Sequence, residues 1–432
     1  MTQTQTSRRP VGSATQFDAL TRAADALRRK GSHAEALRAF HEIAMTYASR
    51  SDAQSNLAGM LQASGHPFPA LEAIARALAI DPNSVPALRN SAEILKDLGE
   101  WRAVADTYDA ALVLQPESAE VRFARGLQLL MRGEWQEGWR EHEQRWRVRD
   151  MPLTAHTFST PRWDGSPLRG RHLLLHGEQG LGDQIQFVRF ARDLVNHDAR
   201  VTLRCSPALV ELFRSVSGLE AVCSDGDDVP AHDVHASLMS LPFLLGVDTP
   251  SEVDGAPYLH VAGECPDYIS EAFARDARPR VGLVWAGNPQ HRNDARRSIT
   301  PRLLTSLVNL DGVQVISLQQ RDPGSSLPEP LRPGVRDLGG QLRSFNDTAH
   351  ALLQLSLLVT VDTSVAHLSG ALGVPTLLLV PFVPDWRWML NRTDTPWYRS
   401  LRLVRQNTLF SWDSVLTTVQ REIAALPDRP NA

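Results

Sequence analysis

The segment LLLHGEQGLGDQIQF, residues 173–187, places an aspartate directly after three closely spaced glycines. Gly177, Gly180 and Gly182 follow an apolar run of strand character, and glycines there allow a ligand to approach the backbone closely. Their G-x-x-G-x-G spacing differs from the G-x-G-x-x-G of dinucleotide-binding loops, and no acid follows the next strand to hold a ribose. Asp183 therefore has two interpretations: an N-cap of the following helix, or a cleft carboxylate that takes a proton from a hydroxyl.

A second candidate site lies in VTVDTSVAHLSGALGVPTLLLV, residues 359–380, where an apolar strand ends at Asp362. Thr363 and Ser364 then open a helix that contains His367. Hydroxyl groups and unpaired N–H groups at a helix N-terminus attract anions, so a diphosphate would fit there. The alternative is an ordinary capped helix in which His367 is a half-buried structural residue.

A third candidate is the polar loop in GLVWAGNPQHRNDARRSIT, residues 282–300, which follows another predicted strand. Arginine suits a phosphate because its planar guanidinium donates two hydrogen bonds at once. The alternative is a solvated turn before a capped helix. The residues of this loop that we single out are Trp285, Asn288, His291, Asn293, Asp294, Arg296 and Arg297.

Two further features follow later strands. Gln319 ends the strand SLQ, where it would reach a base edge or a phosphate. The segments PDWRWML and TPWYRS bring several aromatic residues close together in sequence, and such residues favour packing over recognition. They are Trp386, Trp388, Trp397 and Tyr398.

The first third of the chain repeats with a period of 34 residues, marked by Gly31, Gly65, Gly99 and Gly133. Such a period, with glycine at the turn between two helices and proline after the second, resembles the tetratricopeptide repeat. Small residues stand seven positions before each turn glycine, whereas Arg145 occupies a position of the last repeat where a small residue is expected. The repeats would serve as a packing scaffold, as a groove for a peptide or partner, or as both. The small residues are Ala24, Ala58, Ala92 and Gly126, and the prolines are Pro82 and Pro116.

From Met151 onward the pattern changes to short apolar strands that alternate with amphipathic helices, which predicts parallel sheets. Two such runs predict two doubly wound domains that face each other across a cleft. The expected organisation is a disordered N-terminus at 1–15, helical repeats at 16–150, and Rossmann-like domains at 151–275 and 276–432. The expected strands are HLLLHG, ARVTLRC, LEAVCS, RVGLVWAG, VQVISLQ, LSLLVTVD, PTLLLV and LRLVRQ.

Composition excludes several classes of protein. The formal charge of −4 argues against a protein that binds by neutralising nucleic-acid phosphates. The three cysteines form no C-x-x-C pair, so neither a disulfide framework nor a zinc site is indicated. The start, MTQTQTSRRPVGSATQ, has no apolar core of a secretion signal, and the longest apolar stretch, residues 370–383, is too short to span a bilayer. We expect a cytoplasmic protein.

Taken together, GEQGLGDQIQF, GLVWAGNPQHRNDARRSI, VDTSVAHLSGALGVPTLLLV and PDWRW resemble bacterial tetratricopeptide-repeat proteins with a heptosyltransferase-like domain of glycosyltransferase family 9. The resemblance covers about 17–148 for the repeats and about 160–425 for the transferase. It implies α-helical repeats followed by a GT-B fold of two Rossmann-like domains, the first binding the acceptor and the second the nucleotide-sugar. It also implies inverting transfer without a metal or other cofactor, which agrees with the absence of a D-x-D signature; DGDD, residues 225–228, reads as a solvated loop.

The resemblance assigns roles to individual residues. Asp183 falls on the glycine–aspartate position of the general base, in an acceptor-side loop with Gly180, Gly182 and Gln184. The family often carries a lysine facing the donor phosphates where this chain has arginines, and which arginine replaces it stays open. The donor site comprises Trp285, Asn288, His291, Asn293, Arg297, Gln319, Asp362, Thr363, Ser364 and His367.

The expected function is transfer of a sugar to a protein, such as a flagellin or another surface protein, that the repeats present. One alternative is transfer to a lipopolysaccharide or lipid-linked acceptor, and another is an inactive adaptor that binds partners through its repeats. The expected partners are a nucleotide-sugar, a protein or peptide acceptor, and a second copy of the chain through the repeats.

Overall fold

The structure is a computed structural model that describes residues 13–149, 151, 158–261, 263–274, 276–291, 293–308, 310–321 and 325–426. The expected disordered stretch at 1–15 falls almost entirely outside these ranges, and the first helix begins at Ala14 after Ser13 as its N-cap. The chain divides into two compact units, Met1–Arg125 and Gly126–Ala432. The domain boundaries expected from the sequence stay predictions.

The repeats are helical hairpins, as the 34-residue period predicts. Each turn glycine has a positive φ, between 77° and 87°, which an L-residue with a side chain rarely adopts. Ala24, Ala58 and Ala92 are fully buried, because the two helices of a hairpin approach each other closely at these positions. The helices are α1 (Ala14–Arg29), α2 (His33–Thr46), α3 (Ser51–Ala63), α4 (Pro67–Ile80), α5 (Val85–Asp97), α6 (Trp101–Leu114), α7 (Ala119–Arg132) and α8 (Trp135–His142).

The first α/β region of the second unit has the parallel strand order β3-β2-β1-β4. The strands β1 to β3 coincide with the predicted segments, whereas β4 was not predicted. The helix that follows the first strand begins at Leu181 and continues from Val188 to His197 as a 3-10 helix. The elements are β1 (His172–His176), α9 (Leu181–Phe187), β2 (Arg200–Cys205), α10 (Val210–Phe213), β3 (Ala221–Ser224), β4 (Val234–Ser237), α11 (Leu241–Leu244) and α12 (Asp267–Phe273).

The second α/β region has the parallel strand order β10-β9-β8-β5-β6-β7. Five of its strands match predicted segments, and β7 is an additional edge strand in the part of the chain that the structure describes. Its elements are β5 (Arg280–Val284), α13 (Asp294–Arg297), α14 (Thr305–Val308), β6 (Gln314–Ser317), β7 (Val335–Asp337), α15 (Phe345–Leu352), β8 (Leu357–Val361), α16 (Ser364–Leu372), β9 (Thr376–Val380), β10 (Leu401–Arg405) and α17 (Asp413–Ala424).

The core of this second region lies between the sheet and α17. Val281, Leu283 and Val359 from the strands pack with Val415 and Val419 from the helix, and all are at most 2% exposed. Parallel strands with both faces covered are apolar on both sides, which explains the continuous runs in β8 and β9. The expected architecture, helical repeats followed by two doubly wound parallel α/β regions, is confirmed. Over the described ranges, no helix combines the length and the apolar character needed to cross a bilayer.

Candidate active site

The strand orders place the predicted loops where such sheets bind ligands. In an open parallel sheet, ligands bind beyond the carboxyl ends of the strands, where the strand order reverses. In the first sheet this point lies between β1 and β4, and in the second it lies between β5 and β8. The glycine-rich loop follows β1, the polar loop at 285–293 follows β5, and Asp362 and Thr363 follow β8. The three motifs therefore stand at the two reversal points.

Asp183 is the third residue of α9, and Gly180 is the N-cap. The interpretation of Asp183 as an N-cap is therefore wrong, although the carboxylate still accepts a hydrogen bond from the Gly180 backbone N–H, as in a capping box. The side chain retains 19% of its exposure and forms an ion pair with Arg387. Burial raises the pKa of Asp183, and the charge of Arg387 opposes that rise.

Gly182 brings helix α9, which carries Asp183, against α16. A Cβ atom on Gly182 would lie 2.8 Å from His367 Cδ2 and 3.5 Å from the Ser364 Cα. Only a residue without a side chain permits this approach, so the glycine joins the first two candidate sites into one. Asp183 is thereby held beside the beginning of α16.

The beginning of α16 is formed as the sequence predicts. Thr363 is the N-cap, in an extended conformation with φ −142° and ψ 173°, and Ser364 is the first helical residue. The side chain of Thr363 makes no capping bond, and its Oγ1 is buried without a hydrogen-bond partner among the described residues. A buried hydroxyl without a partner is costly, and an anion at this end would supply an acceptor.

Arg387 is the central cation of the site, and sequence reasoning missed it. It lies in the 3-10 helix Trp386–Trp388 and is 8% exposed. Its Nε donates to Gln186 Oε1 at 2.8 Å, its Nη1 to Asp385 Oδ1 at 2.8 Å, and its Nη2 pairs with Asp183. Burial acts to lower the pKa of Arg387, but Asp385 and Asp183 raise it, so the guanidinium remains charged. The aromatic residues around it are buried, which confirms the packing role predicted for them.

Two other acidic residues share this environment. Burial, reinforced by the charge of Asp385, raises the pKa of Asp362 to about 6. Burial works in the same direction on Asp385, but ion pairing with Arg387 holds the pKa of Asp385 below its ordinary value. Arg297 donates from Nη1 to the Asp362 carbonyl oxygen at 2.8 Å and from Nε to Asp294 Oδ1 at 3.2 Å.

His367 is neutral and fixed in orientation. Burial, aided by the charge of Arg387, lowers the pKa of His367 to about 3. Its Nδ1 lies 2.9 Å from the Tyr398 hydroxyl, and its ring stacks on Trp388 with centroids 5.3 Å apart. His367 therefore helps to hold α16 in place, and its Cδ2 edge lies against Gly182.

The loop after β5 contains both site and core residues. Asn288 Oδ1 accepts from the Gln290 N–H at 2.9 Å and closes an exposed turn with His291 and Asn293. Burial raises the pKa of Asp183, and the charge of His291 in this turn is among the influences that oppose that rise. Trp285 is 5% exposed and packs within the core, and its place in the donor site stays a prediction.

The side-chain amides of Gln319 and Gln184 form hydrogen bonds with backbone groups. Gln319 Oε1 accepts from the Trp285 N–H at 3.0 Å and the Ala286 N–H at 2.9 Å, so its amide closes the end of β5 and is not directed at a ligand. Gln184 Oε1 accepts from the Ser206 N–H at 3.0 Å, and its Nε2 donates to the Gln179 carbonyl at 3.2 Å. Both glutamines thus fix the loops at the strand ends.

Known proteins are similar to parts of this chain in sequence and in structure. No family model matches the sequence. The protein FlbA of Caulobacter vibrioides is 26% identical over 391 residues, which cover 81% of this chain. The chain spans 63% of the length of FlbA.

Solved structures resemble the two parts separately. The family 9 glycosyl transferase from Veillonella parvula is 11% identical, with a TM-score of 0.43 over 61% of this chain and 99% of its own. The type III secretion chaperone SycD of Yersinia enterocolitica, in complex with a peptide of the translocator YopD, is 18% identical, with a TM-score of 0.24 over 26% of this chain and 86% of its own. At these identities the likeness concerns the fold alone.

Proposed function

We propose that this chain is an inverting, metal-independent glycosyltransferase in which Asp183 is the general base. The observation that carries the proposal is the meeting of Asp183, Arg387 and the beginning of α16 at the reversal points of two parallel sheets. A carboxylate, a buried cation and free helix N–H groups are the parts that a transfer from a nucleotide-sugar requires.

The donor diphosphate would bind at the beginning of α16. The first N–H groups of this helix, together with the Thr363 hydroxyl, offer hydrogen bonds to phosphate oxygens. Arg387 and Arg297 supply positive charge beside these groups. In this proposal, they are the arginines that take the place of the lysine often found in the family. Because donors aimed at the leaving diphosphate strengthen as its charge grows, they stabilise the transition state more than the ground state.

Asp183 would take the proton of the acceptor hydroxyl as that oxygen attacks the anomeric carbon. A carboxylate can accept several hydrogen bonds, so the bonds from Gly180 and Arg387 leave capacity for a substrate hydroxyl. Attack from the face opposite the diphosphate inverts the anomeric configuration. Base catalysis of this kind contributes roughly 10²–10⁴-fold to the rate.

The acceptor in this proposal is a protein segment that the helical repeats bind. Repeats of this architecture offer extended surfaces that suit a peptide, and the chain combines them with the transferase region. A lipid-linked acceptor and an inactive adaptor remain as outcomes of the test.

The test begins with a thermal-shift panel of nucleotides and nucleotide-sugars. A ligand at 100 times its dissociation constant stabilises the protein by about 2.7 kcal/mol, which is readily measured. The nucleotide-sugar that binds is then supplied with cell extract, and labelled sugar is followed into protein, lipid and free-sugar fractions. Label in protein supports the proposed acceptor, whereas label only in lipid favours the alternative acceptor.

The variant Asp183→Asn tests the base. We expect its turnover to fall roughly 10²–10⁴-fold while nucleotide affinity is retained. Asp193→Asn is the matched control, because Asp193 follows α9 on the same segment but is 46% exposed and pairs with Arg192. Wild-type turnover in Asp183→Asn would remove Asp183 as base, and absence of any nucleotide binding or transfer would favour the adaptor.

A further inference from the structure

Arg145 is the most completely enclosed charged residue of the segment that follows α8. It lies in the 3-10 helix Glu143–Arg147 and is 0% exposed. Its Nε donates to Glu178 Oε1 at 2.8 Å and its Nη2 to Glu178 Oε2 at 3.2 Å, which makes a two-bond pair with a carboxylate that is also enclosed. Its Nη1 forms a further ion pair with Glu143.

The pair occupies the reversal point of the first sheet. Glu178 belongs to the glycine-rich loop after β1, five residues before Asp183. Arg145 Nη2 also donates to Ser240 Oγ at 2.7 Å, and Ser240 ends the turn that follows β4. Arg145 therefore joins the loops that follow β1 and β4, in the position where sheets of this kind hold a ligand.

Residues of the preceding helix α8 pack against the elements that carry Asp183 and Arg387. Trp139 packs edge-on against Phe187 of α9, with centroids 6.1 Å apart, and against Trp386, with centroids 5.4 Å apart. Trp135 stacks on Trp397 at 4.9 Å. The neighbours of both Asp183 and Arg387 are thus held by residues from the end of the repeat sequence.

Energetics favour a role for this pair beyond stability. Removing two charges from water is costly, and an apolar pair of similar volume commonly stabilises a protein as well or better. Burial raises the pKa of Glu178, and the facing guanidinium of Arg145 opposes that rise together with a hydrogen bond from Ser237. What the pair supplies that an apolar pair would not is a fixed orientation of the loop through directed hydrogen bonds.

We propose that Arg145 is a positioning residue that, through Glu178, fixes the glycine-rich loop in the conformation that presents Asp183 to the reaction. The role rests on the function proposed above. Arg145 lies where sheets of this kind hold a ligand, and in this proposal it affects the reaction only through the position of the loop.

The experiment uses the full chain with Arg145→Met, Arg145→Lys and the double variant Arg145→Met/Glu178→Met. The double variant removes both fully enclosed charges together, while Glu143, whose side chain is 22% exposed, keeps its hydrogen bonds from Trp146 and Ser240. We expect it to stay folded, with nucleotide affinity within about twofold of wild type and kcat lowered about 10- to 100-fold by misplacement of the base. Arg145→Lys keeps the positive charge but loses the two-bond geometry of the guanidinium. Its kcat should therefore lie between that of wild type and that of the double variant.

The control is Arg200→Met, because Arg200 and Glu220 form the same two-bond pair on the surface, at 3.0 and 2.8 Å. We expect this variant to match wild type. A second readout, the rate at which a water-soluble carbodiimide modifies Asp183, needs no catalytic activity, and we expect it to change in the double variant. A folded double variant with wild-type kcat and an unchanged modification rate overturns the positioning role. If wild type proves inactive, the modification rate alone decides, so failure of the function and failure of the positioning role remain separable.

Discussion

Asp362 and Asp385 are both influenced by the guanidinium of Arg387, but their pKa values are shifted in opposite directions. Arg387 bonds to Asp385 directly, and the pKa of Asp385 lies below its ordinary value. Asp362 has the more indirect influence of Arg297 and Arg387, and burial with the nearby charge of Asp385 raises its pKa to about 6. The charge of the site therefore changes near pH 6, at Asp362.

This difference predicts how stability varies with pH. The pKa of Asp362 in the folded protein exceeds the ordinary 3.8, so its favourable contribution is present below pH 4 and is lost as pH rises through 6. Asp362→Asn removes that loss. The free energy of unfolding of the variant minus that of wild type should rise by about 2 kcal/mol from pH 4 to pH 8. Urea denaturation at each pH measures both values.

The control for this experiment is Asp394→Asn. Asp394 is 70% exposed, and its hydrogen bonds with Arg392 lower its pKa, so the difference from wild type should be small and of opposite sign. Parallel stability curves for wild type and Asp362→Asn would contradict the assignment.

The contact between α9 and α16 depends on the absence of a side chain. A methyl group at Gly182 would meet the His367 ring at 2.8 Å, and that ring cannot move freely because it stacks on Trp388 and bonds to Tyr398. The two helices would have to separate. Because one carries the proposed base and the other the proposed diphosphate site, we expect their spacing to affect the reaction directly.

We therefore expect Gly182→Ala to destabilise the protein by about 1–3 kcal/mol through overpacking and to lower turnover. Thermal unfolding and initial-rate measurements would show this. The comparison is Gly59→Ala in α3, where a methyl group meets only Asn90 Nδ2 at 3.7 Å. That variant should be neutral or slightly stabilising, since alanine has the higher helix propensity. Equal behaviour of the two variants would argue against the close contact.

Several elements of the fold and site were predictable from local sequence patterns, and others were not. The beginning of α16 was predictable, because an apolar strand followed by Asp-Thr-Ser indicates where the helix begins. The strands β4 and β7 were not predictable, since VHAS and VRD are too short to show a periodic pattern. Their positions depend on pairing with distant strands.

Trp285 and Arg387 illustrate what local patterns reveal and what they do not. Val281 and Leu283 of β5 and Trp285 directly after it alternate along the chain and enter the same core, so the period of two predicts a packing role for Trp285. Arg387 stands between Trp386 and Trp388, and an arginine enclosed by buried aromatics requires carboxylate partners. Its partner Asp183 is 204 residues away in sequence, which no local pattern reveals.

The two compact units divide inside α7, so the end of the repeat sequence belongs to the unit that carries the proposed active site. Gly126 of α7 packs against α8 so closely that a Cβ would lie 2.8 Å from the His142 nitrogen. Trp135, Trp139 and Arg145 then contribute to the surroundings of the site.

Two truncations should therefore behave differently. Removal of residues 1–150 deletes the buried partners of Phe187, Trp386 and Glu178, and we expect the remainder to be unfolded or aggregated. Removal of residues 1–118 retains α7 and α8, and we expect a folded protein. Near-ultraviolet circular dichroism and thermal melting distinguish these outcomes. A cooperative melt from the shorter fragment at the temperature of the longer one would contradict the prediction.

The division within α7 also sets a rule for exchanging parts between relatives of this protein. A chimera that joins foreign repeats at the apparent end of the repeat sequence would import an unmatched Trp135, Trp139 and Arg145 into its host. A crossover at the start of α7, Ala119, keeps those residues with the loops they evolved beside. Under the proposed function, acceptor preference should be transferable with the hairpins ahead of α7, while the last hairpin must be exchanged together with the α/β regions.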